Sequence, residues 1–256
     1  MSKIVARTLD LLELFAAEKR PLPLSDIARL MNIPVSSCHD VLQVMLARGY
    51  LYELAPRAGY YPTLRLQKLG QEIGDNDPVL LRAELLLRSL RDTLDESVLL
   101  AKVSGLQATY LLALEPRQPL RFLIKVGEEV RSLYATSGGK AILGGLDDAA
   151  LDACLRTLTL HPLTDRTIAS KAALREEVVQ SRKRGWYLNR GESLDGVMTL
   201  SASFRWNAAQ YIVTVAGPAS RLDPKLDQAV GLITNVCLML ETRSESTLRP
   251  GRDNVA

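Results

Sequence analysis

Apolar residues near the start of the chain recur at three- and four-residue spacing, a pattern typical of helices buried on one side. Residues 24–30 form one such helix, and Asn32 suits the left-handed backbone that ends it. A second helix is predicted from a cap at Ser36 or Ser37 to about Arg48. Two short helices joined by a tight turn predict a helix-turn-helix unit, whose second helix enters the major groove of DNA.

Residues that favour β-structure follow the second helix and extend this unit. Residues 50–52 and 60–61 flank a turn-rich stretch at 55–59, which predicts a hairpin or wing. Upstream, residues 5–17 predict a helix that packs against the other two. Its inward positions are predicted to be Leu9, Leu12 and Phe15. The first 70 residues therefore predict a winged three-helix module.

The rest of the chain mixes strand-like and helical patterns. After a break at 70–77, a strongly apolar helix is predicted over 79–94, with an apolar face broad enough for a sheet and a partner. The further predicted segments are strands at 97–103, 109–114 and 120–126, helices at 139–146, 147–156 and 170–184, strands at 186–188, 197–204 and 211–216, and a closing helix at 224–241. Strands, then helices, then strands predict an α+β domain with one mostly antiparallel sheet.

Composition fits a folded chain of two domains, with the excess positive charge on the first. Of the 256 residues, 47% are hydrophobic, which is enough for real cores. Residues 1–70 hold nine basic and six acidic residues, whereas the remainder holds 23 of each, so the net charge of +3 lies where phosphate binding would use it. Three widely spaced cysteines predict neither disulfides nor a metal site. Without a signal peptide or a membrane-length apolar run, we expect a cytoplasmic protein that uses no cofactor.

Exposed polar positions of the second helix and the wing are the candidate DNA contacts. They are Ser36, Ser37, His39, Asp40, Gln43, Arg57 and Tyr60. Asp40 has two interpretations: it accepts a hydrogen bond from a cytosine N4 group, or it points to solvent and weakens binding to phosphate. Ordinary amphipathic helices would show similar spacing, but the wing behind them favours DNA binding.

A candidate ligand site lies in the second half of the chain. Residues 136–139 precede a predicted helix, and free N–H groups there would hold a carboxylate, although a tight helix entry would need the same glycines. Alternation over 197–204 puts Thr199 and Ser201 on one face, and Thr214 shares a face with Ala216 on the next strand. A sheet face that carries hydroxyls can line a cavity, or it can simply face solvent.

Four features occur in one order along the chain. They are the helix-turn-helix with its wing, Tyr-Ala-Thr-Ser-Gly-Gly-Lys-Ala at 134–141, Gly191-Glu192 with Gly196-Val197, and Val-Ala-Gly-Pro-Ala-Ser-Arg at 215–221. Together they resemble the IclR family of bacterial transcription regulators over nearly the whole chain, except about its last dozen residues. The resemblance implies a winged helix-turn-helix domain at 1–62, a linker helix at 63–77, a GAF-like effector-binding domain at 78–245 and a flexible tail at 246–256. It also implies a dimer or a dimer of dimers.

The same resemblance implies a set of effector contacts. They are Ser137, Gly138, Asn189, Val197, Thr199, Thr214 and Ala216, to which the glycine loop adds Gly139. Asn189 stands where the family commonly has aspartate, and an amide without fixed negative charge accepts an anionic or carbonyl-bearing ligand more easily. Val35 and Asp40 stand where the family usually has basic residues, so the operator sequence is expected to differ.

These features predict a transcription regulator that binds a double-stranded DNA operator and responds to a small organic acid, as expected for control of catabolic genes. We expect no enzyme activity, because neither His39 nor His161 belongs to a triad or metal motif. Two alternatives stay open: a GAF-like binding protein or enzyme that does not bind DNA by itself, and an architectural DNA protein without a ligand. Repression and activation both fit, since the sign depends on the operator's position.

Overall fold

The structure is a computed structural model that describes residues 2–55 and 58–246, with side chains up to Glu241. Its contacts divide the chain into two units, Met1–Asp77 and Pro78–Ala256. Arg57 and all but the first residue of the predicted tail at 246–256 lie outside the described residues. Within the described part, no helix is both long and apolar enough to cross a membrane.

The first unit is a helical module with a two-stranded wing, as predicted. Its elements are α1 (Lys3–Glu18), α2 (Leu24–Leu30), α3 (Val35–Ala47), β1 (Leu51–Glu53), β2 (Tyr60–Pro62) and α4 (Arg65–Asp75). Asn32 takes the left-handed backbone, at φ 51°, in the turn between α2 and α3. Leu11 and Phe15 of α1 are buried in the core, whereas Leu9, which was predicted to face inward, is 55% exposed. Leu11 takes its place because it lies one helical turn from Phe15 on the packed face.

The start of α3 differs from the sequence expectation. The helix begins at Val35, with Pro34 in the cap position and no side chain bonded to the first amides. Ser36 and Ser37 therefore lie inside the first turn and cap nothing, because Pro34 already supplies the extended backbone that precedes a helix. The amides at this end of α3 are left to solvent or to a ligand.

The second unit is an antiparallel sheet with helices on both faces, which confirms the predicted α+β fold. Its elements are α5 (Pro78–Leu94), β3 (Ser97–Ser104), β4 (Gln107–Leu114), α6 (Ser137–Gly144), α7 (Asp148–Thr157), α8 (Lys171–Arg184), β5 (Tyr187–Arg190), β6 (Val197–Trp206), β7 (Ala209–Pro218), α9 (Ala219–Leu222) and α10 (Leu226–Ser246). The described strands lie in the order β4-β3-β7-β6-β5, and every neighbouring pair is antiparallel.

Alternation along the strands separates an apolar face from a polar one. The residues of β6 that join the core with α5 and α10 are Met198, Leu200, Ala202 and Phe204. Thr199 and Ser201 point to the opposite face, where α6 contacts β5, β6 and β7. The register pairs Thr199 with Ala216 and Ser201 with Thr214, so it places two hydroxyl residues directly opposite each other.

The predicted strand at 120–126 is not formed. This stretch instead runs as an irregular cover segment, defined here as residues 115–134, that is held by its backbone. Ser97 Oγ donates to the carbonyl oxygen of Phe122 at 2.7 Å, and Arg221 Nη2 donates to that of Leu120 at 2.9 Å. The stretch does not become a strand because side chains, rather than a neighbouring strand, take these carbonyl groups.

Gly59 provides a test of the wing's close contact with the rest of the first unit. It has φ 117°, and an added Cβ would lie 2.9 Å from the backbone carbonyl carbon of Leu22. We expect Gly59→Ala to lower the free energy of unfolding of this unit by more than about 2 kcal/mol, because backbone strain and overlap act together.

Gly49 is the matched control, since it has φ 73° but nothing within 4 Å of an added Cβ. Gly49→Ala should cost only about 1 kcal/mol. Amide hydrogen exchange across the first unit measures both changes, and equal losses in the two variants would contradict the close contact.

Candidate DNA-binding surface and ligand site

The exposed side of α3 carries most of the predicted DNA contacts. Ser36, His39, Asp40 and Gln43 are exposed on this helix, and Ser37 is half-buried beside them. The opposite side is fixed by the buried residues Cys38, Val41, Leu42 and Met45. The structure therefore brings the five polar residues together on one helix whose other face is held in the core.

The exposed polar residues of α3 make no strong ionic contact with one another. His39 Nδ1 lies 4.0 Å from Asp40 Oδ1, and both side chains are more than half exposed, so the pair contributes little to stability. Since no side chain caps α3, its positive end faces outward next to Ser36. Such an end can receive a phosphate oxygen.

Tyr60 differs from the other predicted DNA contacts because its position in β2 also supports the fold. Its backbone exchanges two hydrogen bonds with Leu22, at 2.9 and 3.1 Å, and its side chain packs partly against the core of the first unit. Burial raises the pKa of its phenol, and the charge of Glu53 adds to this effect. Tyr60 is therefore at least a structural residue of the wing.

Four buried hydroxyl groups meet on the polar face of the second sheet. Ser137 Oγ lies 2.7 Å from both Thr199 Oγ1 and Ser201 Oγ, and Ser201 Oγ lies 2.7 Å from Thr214 Oγ1. We call Ser137, Thr199, Ser201 and Thr214 the hydroxyl cluster. Three of them were predicted as effector contacts, and Ser201 was not, although its alternation placed it on the same face.

The glycines at the start of α6 have different environments. Thr136 Oγ1 accepts the amide of Gly139 at 3.0 Å, so this amide is not free, contrary to the sequence expectation. Gly139 also lies against the backbone of Ser132 and Leu133, where a Cβ would overlap. Its role is therefore close packing. A Cβ on Gly138 would instead lie 3.9 Å from Thr214 Oγ1, so Gly138 borders the hydroxyl cluster.

Asn189, Val197 and Ala216 border the same row of the sheet. Asn189 pairs with Thr199 across β5 and β6, and Ala216 pairs with Thr199 on the other side. The carbonyl oxygen of the Asn189 side chain accepts the amide of Glu192 at 2.7 Å, which fixes the orientation of the side-chain amide. Val197 is half-buried at the start of β6, one position further along the same face.

A buried ion pair supports α6, and sequence reasoning missed it. Lys140 is 1% exposed, and its Nζ donates to Glu192 Oε1 at 2.6 Å and to the carbonyl oxygen of Leu188 at 2.8 Å. Burial raises the pKa of the Glu192 carboxyl, and the charge of Lys140 opposes this shift. The second oxygen, Oε2, is buried without a hydrogen bond among the described residues. Lys140 lies in the motif at 134–141 and Glu192 in the Gly191-Glu192 motif, but nothing in the sequence pairs them.

Comparison with known proteins gives matches over both units. A model of the IclR helix-turn-helix domain matches residues 4–55, and a model of the bacterial transcriptional regulator IclR C-terminal domain matches residues 72–237. The glycerol operon regulatory protein of Streptomyces griseus is 32% identical over 248 residues, which cover 90% of each chain.

Two solved structures share the fold. A putative transcriptional regulator from Rhodococcus sp. RHA1 superposes with a TM-score of 0.78 at 23% identity, covering 96% of this chain and all of its own. An IclR homolog from Microbacterium hydrocarbonoxydans, complexed with 4-hydroxybenzoate, superposes with a TM-score of 0.75 at 18% identity, covering 95% and 100%.

Replacement of Lys140 tests the ion pair. Lys140→Met leaves the Glu192 charge buried and unpaired, so we expect a loss of about 3–5 kcal/mol in the free energy of unfolding at neutral pH. Loss of the cation raises the Glu192 pKa further, and a carboxyl with a raised pKa destabilises the fold when it is ionised. The deficit should therefore shrink as the pH falls toward about 4–5, where the carboxyl is protonated.

Urea unfolding followed by tryptophan fluorescence measures this effect, because both tryptophans, Trp186 and Trp206, lie in the second unit. The double variant Lys140→Met with Glu192→Gln should recover most of the loss. Lys102→Met, at an exposed position of β3, is the control and should change little. A deficit that does not depend on pH would contradict the buried charge as its cause.

Proposed function

The chain belongs to the IclR family of bacterial transcriptional regulators, and we propose that its second unit senses a small organic acid that alters its binding to operator DNA. A helix-turn-helix domain and an effector-binding domain make it a ligand-responsive DNA-binding regulator. The observation that supports an organic-acid site in the second unit is the hydroxyl cluster, because buried hydroxyls on a sheet face have no role in apolar packing. The complex of the Microbacterium homolog with a carboxylate supports this ligand class.

For the DNA contacts, we propose that Ser36, His39 and Gln43 reach base edges or phosphates in the major groove. Their exposure on α3 supports this assignment, and so does the uncapped positive end of the helix. Asp40 suits a cytosine N4 donor better than a phosphate, because its carboxylate accepts a hydrogen bond and repels an anion. Ser37 on α3, Tyr60 on the wing and Arg57, which lies outside the described residues, complete the proposed set.

We propose that the regulator does not alter its ligand. Among the described residues, Ser137 hydrogen-bonds only to hydroxyl groups through its side chain, and no histidine or carboxylate is placed to activate it as a nucleophile. The acid should therefore be recovered unchanged after incubation with the protein.

We also propose that the first unit pairs with a second copy of itself. Helix α4 buries none of its residues, although Leu66, Leu69 and Ile73 lie at helical spacing along it. It adjoins a groove of about 580 Å³ in the same unit that is lined by Leu12, Val44 and other residues of α1 and α3. Exposed apolar faces of this kind mark interfaces, and a two-fold dimer would match an inverted-repeat operator.

A change at Gln43 tests the DNA contacts. Gln43→Ala should weaken binding to an operator selected from genomic fragments at physiological salt by about 5- to 150-fold, with little effect on non-specific DNA, because a base contact is worth about 1–3 kcal/mol. Fluorescence anisotropy measures both affinities. Gln180→Ala, which removes the same group from α8, is the control. Equal weakening on both DNAs would contradict a base contact. If the protein retains no inverted repeat from the genomic fragments, binding to an operator is itself contradicted.

The dimer has its own test. Leu69→Ser with Ile73→Ser removes apolar area from the exposed side of α4 and should shift sedimentation or operator binding toward monomeric first units. The matched control, Gln67→Ser with Gln71→Ser, changes the same helix at polar exposed positions. If both double variants sediment and bind like the unchanged protein, α4 is not the interface.

A further inference from the structure

The hydrogen bonds of the hydroxyl cluster allow only one assignment of donors and acceptors, which we call the proton order. Ser137 Oγ donates to Thr199 Oγ1 at 2.7 Å, and the Ser137 amide points to the same oxygen at 3.4 Å. A hydroxyl has one proton, so the contact between Ser137 and Ser201 must be donated by Ser201. For the same reason, the contact between Ser201 and Thr214 must be donated by Thr214. The protons therefore run in one direction, from Thr214 to Thr199.

This order makes the two ends of the cluster chemically different. The oxygen of Thr199 already accepts from Ser137, while its own proton has no acceptor among the described residues. The proton of Thr214 is used, but its oxygen still has room to accept. Because an unused buried donor is unfavourable, Thr199 calls for an acceptor, whereas Thr214 can only receive a donor.

Asn189 adds a second donor at the Thr199 end. The two residues are directly opposite each other in the register of β5 and β6, and Asn189 is 1% exposed. Its carbonyl oxygen is taken by the amide of Glu192, and one of its two N–H groups is taken by Ser193 at 2.9 Å. One N–H group remains without an acceptor among the described residues, so Asn189 and Thr199, which are neighbours across β5 and β6, each have one donor left for a carboxylate.

Gly138 leaves room for a methyl-sized group at the Thr214 end. A Cβ placed on Gly138 would lie 3.6 Å from Val130 and 3.9 Å from Thr214 Oγ1, which are ordinary contact distances. Thr214 pairs with Ser201, which lies two residues from Thr199 along β6. The row of paired residues that contains Thr214 is therefore about 7 Å from the row that contains Thr199. A ligand that reaches both rows must therefore carry its polar groups at opposite ends.

We propose that this site is built for a hydroxycarboxylate whose carboxylate faces Thr199 and Asn189 and whose hydroxyl, about 7 Å away, donates to Thr214. The assignment rests on the proposed function and narrows its ligand class. An α-hydroxy acid is too short to meet both rows. A keto acid of suitable length would set its carbonyl oxygen against the Thr214 oxygen, so that two acceptors would face each other.

Calorimetric titration of the full chain with two matched series tests this assignment. The aromatic series is 4-hydroxybenzoate, 4-methoxybenzoate and benzoate, and the aliphatic series is 5-hydroxypentanoate, 5-oxopentanoate and pentanoate. In the series that the site accepts, the hydroxy acid should bind about tenfold or more tightly than both of its companions, since only its hydroxyl can donate to Thr214.

Isosteric variants assign the preference to its residue. Thr214→Val should remove the advantage of the hydroxy acid while leaving the affinity for the unsubstituted acid within about threefold, and Thr214→Ser should keep the advantage. Thr199→Val should weaken all acids of the series together. Ser203→Ala is the control, because it removes a hydroxyl from the same face of β6 outside the hydroxyl cluster.

The outcomes separate this inference from the proposed function. If the acids bind without preference for the hydroxyl, or if Thr214→Val weakens all of them equally, the hydroxycarboxylate assignment is overturned and the organic-acid sensor stands. If no acid of either series binds to the folded protein, both fail. If the preference is present and Thr214→Val alone abolishes it, the proton order is supported.

Discussion

The second unit depends on the buried pairing of Lys140 with Glu192. Every residue of α6 is buried, so the helix must bring its lysine into the protein interior, and a charge there is tolerated only with a partner. Glu192 and the carbonyl oxygen of Leu188 provide that partner, and they hold α6 against the end of β5. The first residue of α6, Ser137, is thereby held against β6, where its hydroxyl bonds to Thr199 and Ser201.

In the proposed contacts, the two units use polar side chains in opposite ways. On α3, the polar side chains are exposed to solvent, and specificity for DNA would come from groups that make no strong contact within the protein. On the sheet, polar side chains are buried and already bonded to one another, so a ligand must match the few groups that are left over. The second arrangement discriminates more sharply, because a mismatch leaves a buried group without a partner.

Local sequence predicted the elements and the faces, but not the contacts between distant residues. Apolar spacing placed the helices and strands, and alternation put Thr199 and Ser201 on one face of β6 and Thr214 with Ala216 on one face of β7. Only the register of the structure joins these two faces. The pairing of Lys140 with Glu192 could not be predicted, because the residues are far apart in sequence and no periodicity relates them. The cover segment was predicted to contain a strand because its composition suits one, but Ser97 and Arg221 take its carbonyl groups. The predicted serine cap of α3 was wrong, because Pro34 occupies the cap position and the helix begins before Ser36.

Anchoring through the backbone gives the cover segment a freedom that side-chain packing would not. Ser97 and Arg221 bind carbonyl oxygens, which every residue type possesses, so these two anchors do not depend on which side chains the segment carries. Arg221 is itself held by two hydrogen bonds to the buried Glu96. Substitutions at Val130 can therefore reshape the wall beside Gly138 while the anchors persist. In evolution or in the laboratory, such a segment would let one regulator acquire a new effector without rebuilding its fold.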